Sequence, residues 1–197
     1  FEYDWKLLGL KRHKDSSFMP QHHVFPGGTV DPADSDLRWH NLYSKFGFDN
    51  DSFTNLIPNT TTRPLIFKSR RNELPRDISL RITAIRETFE ECGVLLCKSH
   101  RISNQKTWPL SEWAENFYIG TDERKDWQER VHNDATEFYK MCERLQCYPD
   151  LWALHEWSNW LTPTFVPGKR FDTVFYLSCV EKMPETNHDP SEVEELR

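Results

Sequence analysis

The chain has 197 residues, 14% of them aromatic, and a formal net charge of -6 at pH 7. This length suits one domain with a sizeable core, and the aromatic content excludes a disordered chain. The acidic balance argues against nonspecific binding to nucleic acid, so we expect no nucleic-acid partner. No apolar run approaches the ~20 residues of a transmembrane helix, so we expect no membrane span.

The N-terminal region contains two apolar segments and then an irregular stretch. Residues 3–12 predict a strand, and "HVFPGG" at 23–28 ends in a Pro-Gly-Gly bend. Residues 29–74 show little periodicity, and we expect one short helix among them. Its inner residues are predicted to be Leu37, Leu42 and Phe46.

An amphipathic helix is predicted from about 76 to 92. Apolar residues recur there at spacings of three and four, namely Ile78, Ile82, Ile85 and Phe89. Pro75 suits the first turn of a helix and Gly93 suits the position after its last turn. The "GVLLC" segment that follows predicts a short buried strand.

Helices and strands alternate in the rest of the chain. Segments 108–118 and 121–147 are predicted to be helical, and residues 170–180 predict a strand because they are β-branched and aromatic. The inner face of the second helix is predicted to contain Trp127, Val131, Phe138, Met141 and Leu145. Strands with interposed helices indicate an α/β layered domain.

The five cysteines form no C-x-x-C pair, and no histidines follow them at zinc-finger spacing. They are Cys92, Cys97, Cys142, Cys147 and Cys179. We interpret them as reduced thiols of an intracellular protein rather than as disulfides or zinc ligands.

Three carboxylates, those of Glu87, Glu90 and Glu91, lie within about one turn of the predicted helix. Like charges at this spacing repel each other unless a cation neutralises them. Carboxylate oxygens are the hard donors that Mg²⁺ or Mn²⁺ prefers. Arg86, four residues before Glu90, can hold one carboxylate by a charge-assisted hydrogen bond. The alternative is a solvated acidic helix face.

These carboxylates stand in a longer motif. R-E-T-F-E-E-C-G-V at 86–94 fits R-E-U-x-E-E-x-G-U, where U is apolar, except at Thr88. This pattern is the core of the Nudix box, whose first half contains a glycine and, six residues later, a Glu. "FPGG" resembles the start of that first half, separated from the helix by an insertion at about 29–74. The acid that replaces the first Glu is left open between Asp34, Glu73 and Asp77.

The split motif, with the later segments "NWLTP" and "KRFDTVFYL", resembles the motif-19 branch of the Nudix hydrolases from about Trp5 to Val180. The resemblance implies one Nudix domain over 1–197, with a mixed β-sheet sandwiched between helices and an extra helical segment at about 107–149. It implies hydrolysis of the pyrophosphate of coenzyme A (CoA) and acyl-CoA, with Mg²⁺ or Mn²⁺, to 3',5'-ADP and (acyl-)4'-phosphopantetheine. These enzymes are associated with peroxisomes and mitochondria, so we expect the peroxisome first and the mitochondrion second.

The resemblance also implies roles for the motif residues. Glu87 and Glu91 are the expected metal ligands, while Glu90 is a further ligand or orients the attacking water. Arg86 is expected to order Glu90. The substrate-binding candidates at the bend are Phe25, Gly27 and Gly28. Glycine there permits close approach of the backbone to the helix and the pyrophosphate.

CoA also carries a 3'-phosphate and an adenine. Arg12 and Arg170 are the first candidates for the phosphate, each alternatively a surface charge; the others are Lys14, Arg70, Arg71 and Lys169. Aromatic candidates for the adenine or pantetheine, alternatively core residues, are Trp157, Trp160 and Phe165. Candidates for proton transfer are His22, His23 and Glu192.

Two other functions stay open at this point. The chain could hydrolyse another diphosphate, such as ADP-ribose, a dinucleotide or capped RNA, or it could be an inactive Nudix module that binds nucleotides or partners. The departure at the first Glu supports the inactive module, and the intact carboxylate helix opposes it. Segment 29–74 is expected to pack over the substrate mouth or to form the contact of a homodimer, and to stay outside the metal site.

Overall fold

A computed structural model describes residues 5–16, 19–58, 62–99, 113–165, 168–188 and 193–196. The helices are α1 (Arg38–Lys45), α2 (Arg76–Cys92), α3 (Thr121–Asn133) and α4 (Thr136–Leu145). The strands are β1 (Leu10–Arg12), β2 (His23–Val24), β3 (Cys97–Lys98), β4 (Tyr148–Pro149), β5 (His155–Leu161), β6 (Asp172–Leu177) and β7 (Val193–Leu196). Short 3₁₀ turns span Pro32–Ser35, Asn50–Leu56, Leu65–Phe67 and Leu151–Ala153.

The strands form three antiparallel pieces. β1 lies between β2 and β7, β3 pairs with β4, and β5 pairs with β6 over its whole length. One parallel bridge joins Ala114 to Val180. Helices packed with these sheets confirm the predicted α/β class. None of the helices in the described ranges is long and apolar enough to cross a membrane.

Helix α2 forms the centre of the core. Its predicted apolar stripe is fully buried, at 1% exposure or less for Ile78, Ile82, Ile85 and Phe89. The helix begins after Pro75 and ends at Gly93, so the predicted bounds of 76–92 are confirmed. The polar side of its last turns is buried as well, which leaves the acidic residues there inside the protein.

The 29–74 segment packs into the core through an aromatic cluster, formed by Tyr43, Phe48, Phe53, Tyr148 and Trp152. Tyr43 is at its centre, with ring centroids 5.2–6.0 Å from those of the other four. Its hydroxyl donates to the Pro149 carbonyl oxygen at 2.8 Å. The inserted segment is therefore part of the folded core and not a peripheral flap.

The predicted helix 121–147 is wrong in one respect, because it is two helices. Asp134 has an extended backbone, and its Oδ1 accepts a hydrogen bond from Thr136 N at 2.9 Å. This local bond competes with helix continuation and starts α4 instead. Four of the five predicted inner residues are buried, Trp127 and Val131 in α3 and Phe138 and Met141 in α4, whereas Leu145 is only partly buried.

Other boundaries also differ from the predictions. The first strand begins only at Leu10, and the buried segment after Gly93 is a strand only from Cys97. Residues 113–118 are not helical, and 100–112 lie outside the described residues. In α1 the buried residues are Trp39, Leu42 and Tyr43, whereas Leu37 is 48% exposed because it precedes the helix.

Candidate active site

The site is built on the last two turns of α2. Gly93 has a left-handed backbone (φ +70°), and its N–H donates to the Phe89 carbonyl oxygen at 2.8 Å, which closes the helix. This conformation favours glycine because a Cβ is strained at positive φ. The termination is immediately C-terminal to Glu90 and Glu91, so their side chains project from a rigid element.

Arg86 lies at the centre of the site, with only 4% of its side chain exposed. Its Nε and Nη2 donate to the two carboxylate oxygens of Asp34 at 2.8 and 2.9 Å. Its Nη1 donates to Glu90 Oε1, and Nη2 lies 2.9 Å from Glu87 Oε1. One guanidinium therefore orders three carboxylates, whereas the sequence predicted this only for Glu90.

The structure places Asp34, six residues after Gly28, at the position left open in the motif. The Thr83 hydroxyl also lies 2.8 Å from Asp34 Oδ2, and the Asp31 N–H donates to the same oxygen. The two other candidate acids do not contact Arg86: Asp77 pairs with Arg63, and Glu73 Oε2 is buried without a hydrogen-bond partner among the described residues.

Segment 29–74 therefore contacts Arg86, while its predicted place outside the metal site stays a prediction. Asp34, from its first 3₁₀ turn, is 1% exposed and binds the Arg86 guanidinium. The backbone carbonyl of Thr29 also accepts from Arg86 Nη2 at 3.2 Å. The insertion separates the two halves of the motif along the chain, and the fold brings them back into contact.

The Pro-Gly-Gly bend touches the carboxylates directly. The Gly27 N–H donates to Glu91 Oε2 at 2.8 Å, and Gly27 has φ +148°. A Cβ added at Gly28 would lie 2.3 Å from Glu87 Oε2, a distance at which atoms must move apart. Gly28 is thus required by close contact with α2, as the sequence predicted for this bend, whereas Gly27 is favoured by its positive φ, since a Cβ there would meet nothing within 4 Å.

Burial and mutual repulsion change the proton affinities of these groups. Burial, opposed by Arg86 and reinforced by Glu90, raises the pKa of Glu87 to about 7. Burial also raises the pKa of Glu90, against the lowering effect of Arg86. Burial would lower the pKa of Arg86, but hydrogen bonds and charges of the surrounding carboxylates outweigh this and raise it.

The donor type suits a hard divalent cation. Three carboxylates, those of Asp34, Glu87 and Glu90, contact one guanidinium, and Glu91 follows Glu90 on α2, so acidic groups outnumber the cation within a mostly buried site. Such an excess is costly in a region of low dielectric. Glu87, Glu90 and Glu91 supply oxygen donors on one helix surface, which is the ligand type that Mg²⁺ or Mn²⁺ takes.

Sequence reasoning missed the residues of α3 that hold this helix end. Gln128 Nε2 lies 3.0 Å from the carbonyl oxygens of both Phe89 and Glu90 and 2.8 Å from that of Asn187. His132, one turn further along α3, opposes the rise in the pKa of Glu90 that burial causes. No motif marks these positions, because their roles depend on how α3 packs against α2.

Phe25, the third predicted substrate residue at the bend, lines a pocket. Phe25 is 53% exposed and packs edge-on against Phe175, with ring centroids 6.2 Å apart. Together with Gly9, His23 and Val24 these rings line a depression of about 360 Å³. Arg12 lies on β1, beside β2, and its Nε is buried without a hydrogen-bond partner among the described residues.

The remaining candidates lie elsewhere. Arg170 Nε donates to the Thr162 carbonyl oxygen next to the β5–β6 pair, and no contact joins it to the carboxylates in the described parts of the chain. The alternative that three aromatic candidates belong to the core is wrong, because their side chains are 66–84% exposed. They are Trp157, Trp160 and Phe165. His22 Nδ1 contacts the Pro20 carbonyl oxygen, and Glu192 lies outside the described residues.

A split Nudix box closed around one buried arginine, on an α/β fold, defines a Nudix domain. Residues 1–197 match the family described as the NUDT19 Nudix domain, so the chain belongs to that family. Nudix hydrolases as a class use divalent metal ions.

Several relatives carry the same name. The chain is 38% identical to the acyl-coenzyme A diphosphatase NUDT19 of Homo sapiens and of Gallus gallus, and 34% identical to that of Xenopus laevis. Each match covers 96% of this chain and 51–52% of the relative, so the chain spans about half their length. A crystal structure of a Nudix hydrolase from Alicyclobacillus acidocaldarius has a TM-score of 0.61 at 22% identity, over 96% of this chain and 68% of that one. This likeness confirms the Nudix fold.

Proposed function

We propose that the protein hydrolyses the pyrophosphate of CoA and acyl-CoA to 3',5'-ADP and 4'-phosphopantetheine or its acyl form. The observation that carries the proposal is the contact of Arg86 with Asp34, Glu87 and Glu90. It supports an intact site despite the split motif and the Asp in place of the first Glu. The names of the relatives support the substrate class.

We assign Mg²⁺ or Mn²⁺ to Glu87, Glu90 and Glu91. Once bound, such an ion shields the pyrophosphate and lowers the pKa of a coordinated water. Arg86 holds the Glu87 and Glu90 carboxylates in fixed orientations, and the Gly27 N–H does the same for Glu91. Glu90, whose pKa burial raises, orients the attacking water through the oxygen that Arg86 leaves available.

We place the rest of the substrate beside the Pro-Gly-Gly bend. The pocket between Phe25 and Phe175 offers ring surfaces on which a base or a pantetheine arm can pack. Arg12 is the better candidate for the 3'-phosphate, because its buried Nε–H has no hydrogen-bond acceptor among the described residues. Arg170 has only its charge and exposed position in support.

Product identification tests the proposal. The protein is incubated with CoA, and separately with an acyl-CoA, in the presence of Mg²⁺ or Mn²⁺, and the products are identified by mass spectrometry. Glu91→Gln is the inactive variant, and Glu129→Gln, on the exposed side of α3, is the matched control. We expect both products from the wild type and Glu129→Gln with metal, and none from Glu91→Gln or with a chelator.

The alternatives appear as other outcomes of this assay. If the protein cleaves ADP-ribose, a dinucleotide or capped RNA but not CoA, the proposed active site stands and the proposed substrate class is wrong. An absence of metal-stimulated turnover on all of these would contradict catalysis and favour a binding module.

A homodimer and a peroxisomal or, second, mitochondrial location are also part of this proposal. The lack of disulfides among the cysteines is compatible with a reducing compartment. Sedimentation analysis would measure the number of copies, and organelle fractionation of the cells that make the protein would locate it.

A further inference from the structure

Three of the five cysteines meet in the core, away from the carboxylates of α2. Cys97 is on β3, Cys142 is on α4, and Cys147 lies between α4 and β4. Each is at most 1% exposed. Their three sulfur atoms all lie within 4.8 Å of one another, and no disulfide joins them. The sequence spacing did not predict this, because Cys97 is far from the other two along the chain.

Regular structure holds the three sulfurs in place. Gln146 ends α4 with a left-handed backbone (φ +52°), and the Cys147 N–H then donates to the Cys142 carbonyl oxygen at 3.0 Å. β4 follows at once and pairs with β3, so that Pro149 stands opposite Cys97. A helix end and a strand pair thus determine the positions of the three side chains.

The spacing suits a single central ion. Three sulfurs about 2.3 Å from one metal in a trigonal plane are about 4.0 Å apart. The observed upper limit of 4.8 Å is within a small side-chain movement of that arrangement. By contrast, Cys92 is buried but is not in the group, and Cys179 is exposed. Cys92 shows that a cysteine can be buried in this core without joining the group, so burial alone does not explain why the other three lie together.

The donor set points to the type of ion. The group contains no His, Asp or Glu among the described residues, so its three candidate ligands are all soft sulfur donors. Soft donors select Cu(I) and Zn²⁺ over the hard cations that carboxylates bind. Structural Zn²⁺ is almost always four-coordinate. Three sulfurs without a fourth donor suit an ion that accepts trigonal coordination.

We propose that Cys97, Cys142 and Cys147 bind one Cu(I) ion in the core. The site is independent of the proposed hydrolysis, because it uses other elements and other donor chemistry. A bound ion would join α4 to the β3–β4 pair and stabilise the folded chain by an amount that grows with the logarithm of its affinity.

A competition titration tests this proposal. The reduced protein is titrated anaerobically with Cu(I) in competition with a coloured Cu(I) chelator. The titration uses the native protein and, separately, protein that was refolded in the presence of Cu(I). A parallel titration uses Zn²⁺. We expect one Cu(I) per chain, thiolate-to-copper absorption in the ultraviolet, a higher melting temperature, and weaker binding of Zn²⁺.

Variants locate the ion. Loss of a residue that only hydrogen-bonds to a metal ligand lowers the metal affinity by up to about 100-fold. Cys142→Ala removes a proposed ligand itself, so it should lower the affinity for Cu(I) by more than this. The matched controls are Cys92→Ala, which is buried, and Cys179→Ala, which is exposed; both should retain stoichiometric binding. Should Cys142→Ala fail to fold, Cys142→Ser, which nearly keeps the side-chain volume and removes the soft donor, takes its place.

Several results would overturn the proposal. Absence of Cu(I) uptake by the wild type, native and refolded, would reduce the group to a buried thiol contact. Unchanged uptake by folded Cys142→Ala would move the ion elsewhere, and tighter binding of Zn²⁺ would contradict the choice of ion. Oxidation of two of the three thiols to a disulfide, with no metal bound, would replace the metal site by a redox pair.

Discussion

The carboxylate site around Arg86 and the aromatic cluster around Tyr43 are both buried, and the 29–74 segment contributes to both. In the first, three carboxylates contact the Arg86 guanidinium, and burial raises the pKa of two of them. In the second, five rings pack together and the central hydroxyl has a hydrogen-bond partner. The first region is strained by its charges, and the second is held by ring packing and by the Tyr43 hydrogen bond. Changes in the cluster should therefore lower stability, and changes in the site should lower activity.

The largest effect is expected from Phe53→Ala in the aromatic cluster. Phe53 is 4% exposed and contacts the rings of Tyr43 and Trp152, so its removal leaves a cavity. We expect the free energy of unfolding to fall by about 3–5 kcal/mol. Urea unfolding measures this, with Ile57→Ala, which is 41% exposed, as the control. A loss equal to that of the control would contradict the assignment of this cluster to the core.

The second prediction concerns pH and metal-free protein. Folding raises the pKa of Glu87 from 4.5 to about 7, so between these values the folded chain binds a proton that the unfolded chain does not. The free energy of unfolding should therefore fall as the pH rises from 4.5 to 7, by up to about 3 kcal/mol at ~1.4 kcal/mol per pKa unit.

Glu87→Gln should lack this contribution, because an amide does not titrate. The measurement is urea unfolding at several pH values in the presence of a chelator, with wild type and variant compared at each. Equal pH slopes in the two proteins would show that Glu87 is not the strained group.

A smaller effect on activity is expected from Gly28→Ala. The added Cβ would displace the Glu87 carboxylate, which lies 2.3 Å from its position. Misplacement by about 1 Å can cost roughly 100-fold in rate, so we expect turnover of CoA to fall about 10- to 100-fold. Gly120→Ala, where the Cβ meets nothing within 4 Å, is the control and should retain full turnover.

The same variant separates the two regions. Gly28→Ala should change the free energy of unfolding by less than about 1 kcal/mol, since no core contact is lost. A large loss of stability with normal turnover per folded molecule would reverse the proposed division between the site and the aromatic cluster.

The smallest effect is expected from Tyr43→Phe. The ring packing is retained, and only the hydrogen bond to the Pro149 carbonyl oxygen is lost. A net loss of about 0.5–1.5 kcal/mol is expected. Thermal unfolding measures it against Tyr118→Phe, whose side chain is 77% exposed. A loss as large as that from Phe53→Ala would show that the hydroxyl, and not the ring packing, dominates the cluster.

The sequence by itself determined helix α2, its two ends and the three acidic residues on it. These features depend on local rules: apolar spacing, Pro75 before the helix, Gly93 after it, and a motif that is continuous in the chain. The approach of the Pro-Gly-Gly bend to that helix was also predictable, because glycines in such a bend imply close contact.

Only the tertiary structure decided which acid completes the site and which thiols meet. The sequence left the choice open between Asp34, Glu73 and Asp77, and of these three the turn at 32–35 brings only Asp34 to Arg86. Cys97 meets Cys142 and Cys147 only because β3 pairs with β4. In both cases the partners are distant along the chain, and packing of separate elements, which leaves no periodic pattern in the sequence, brings them together.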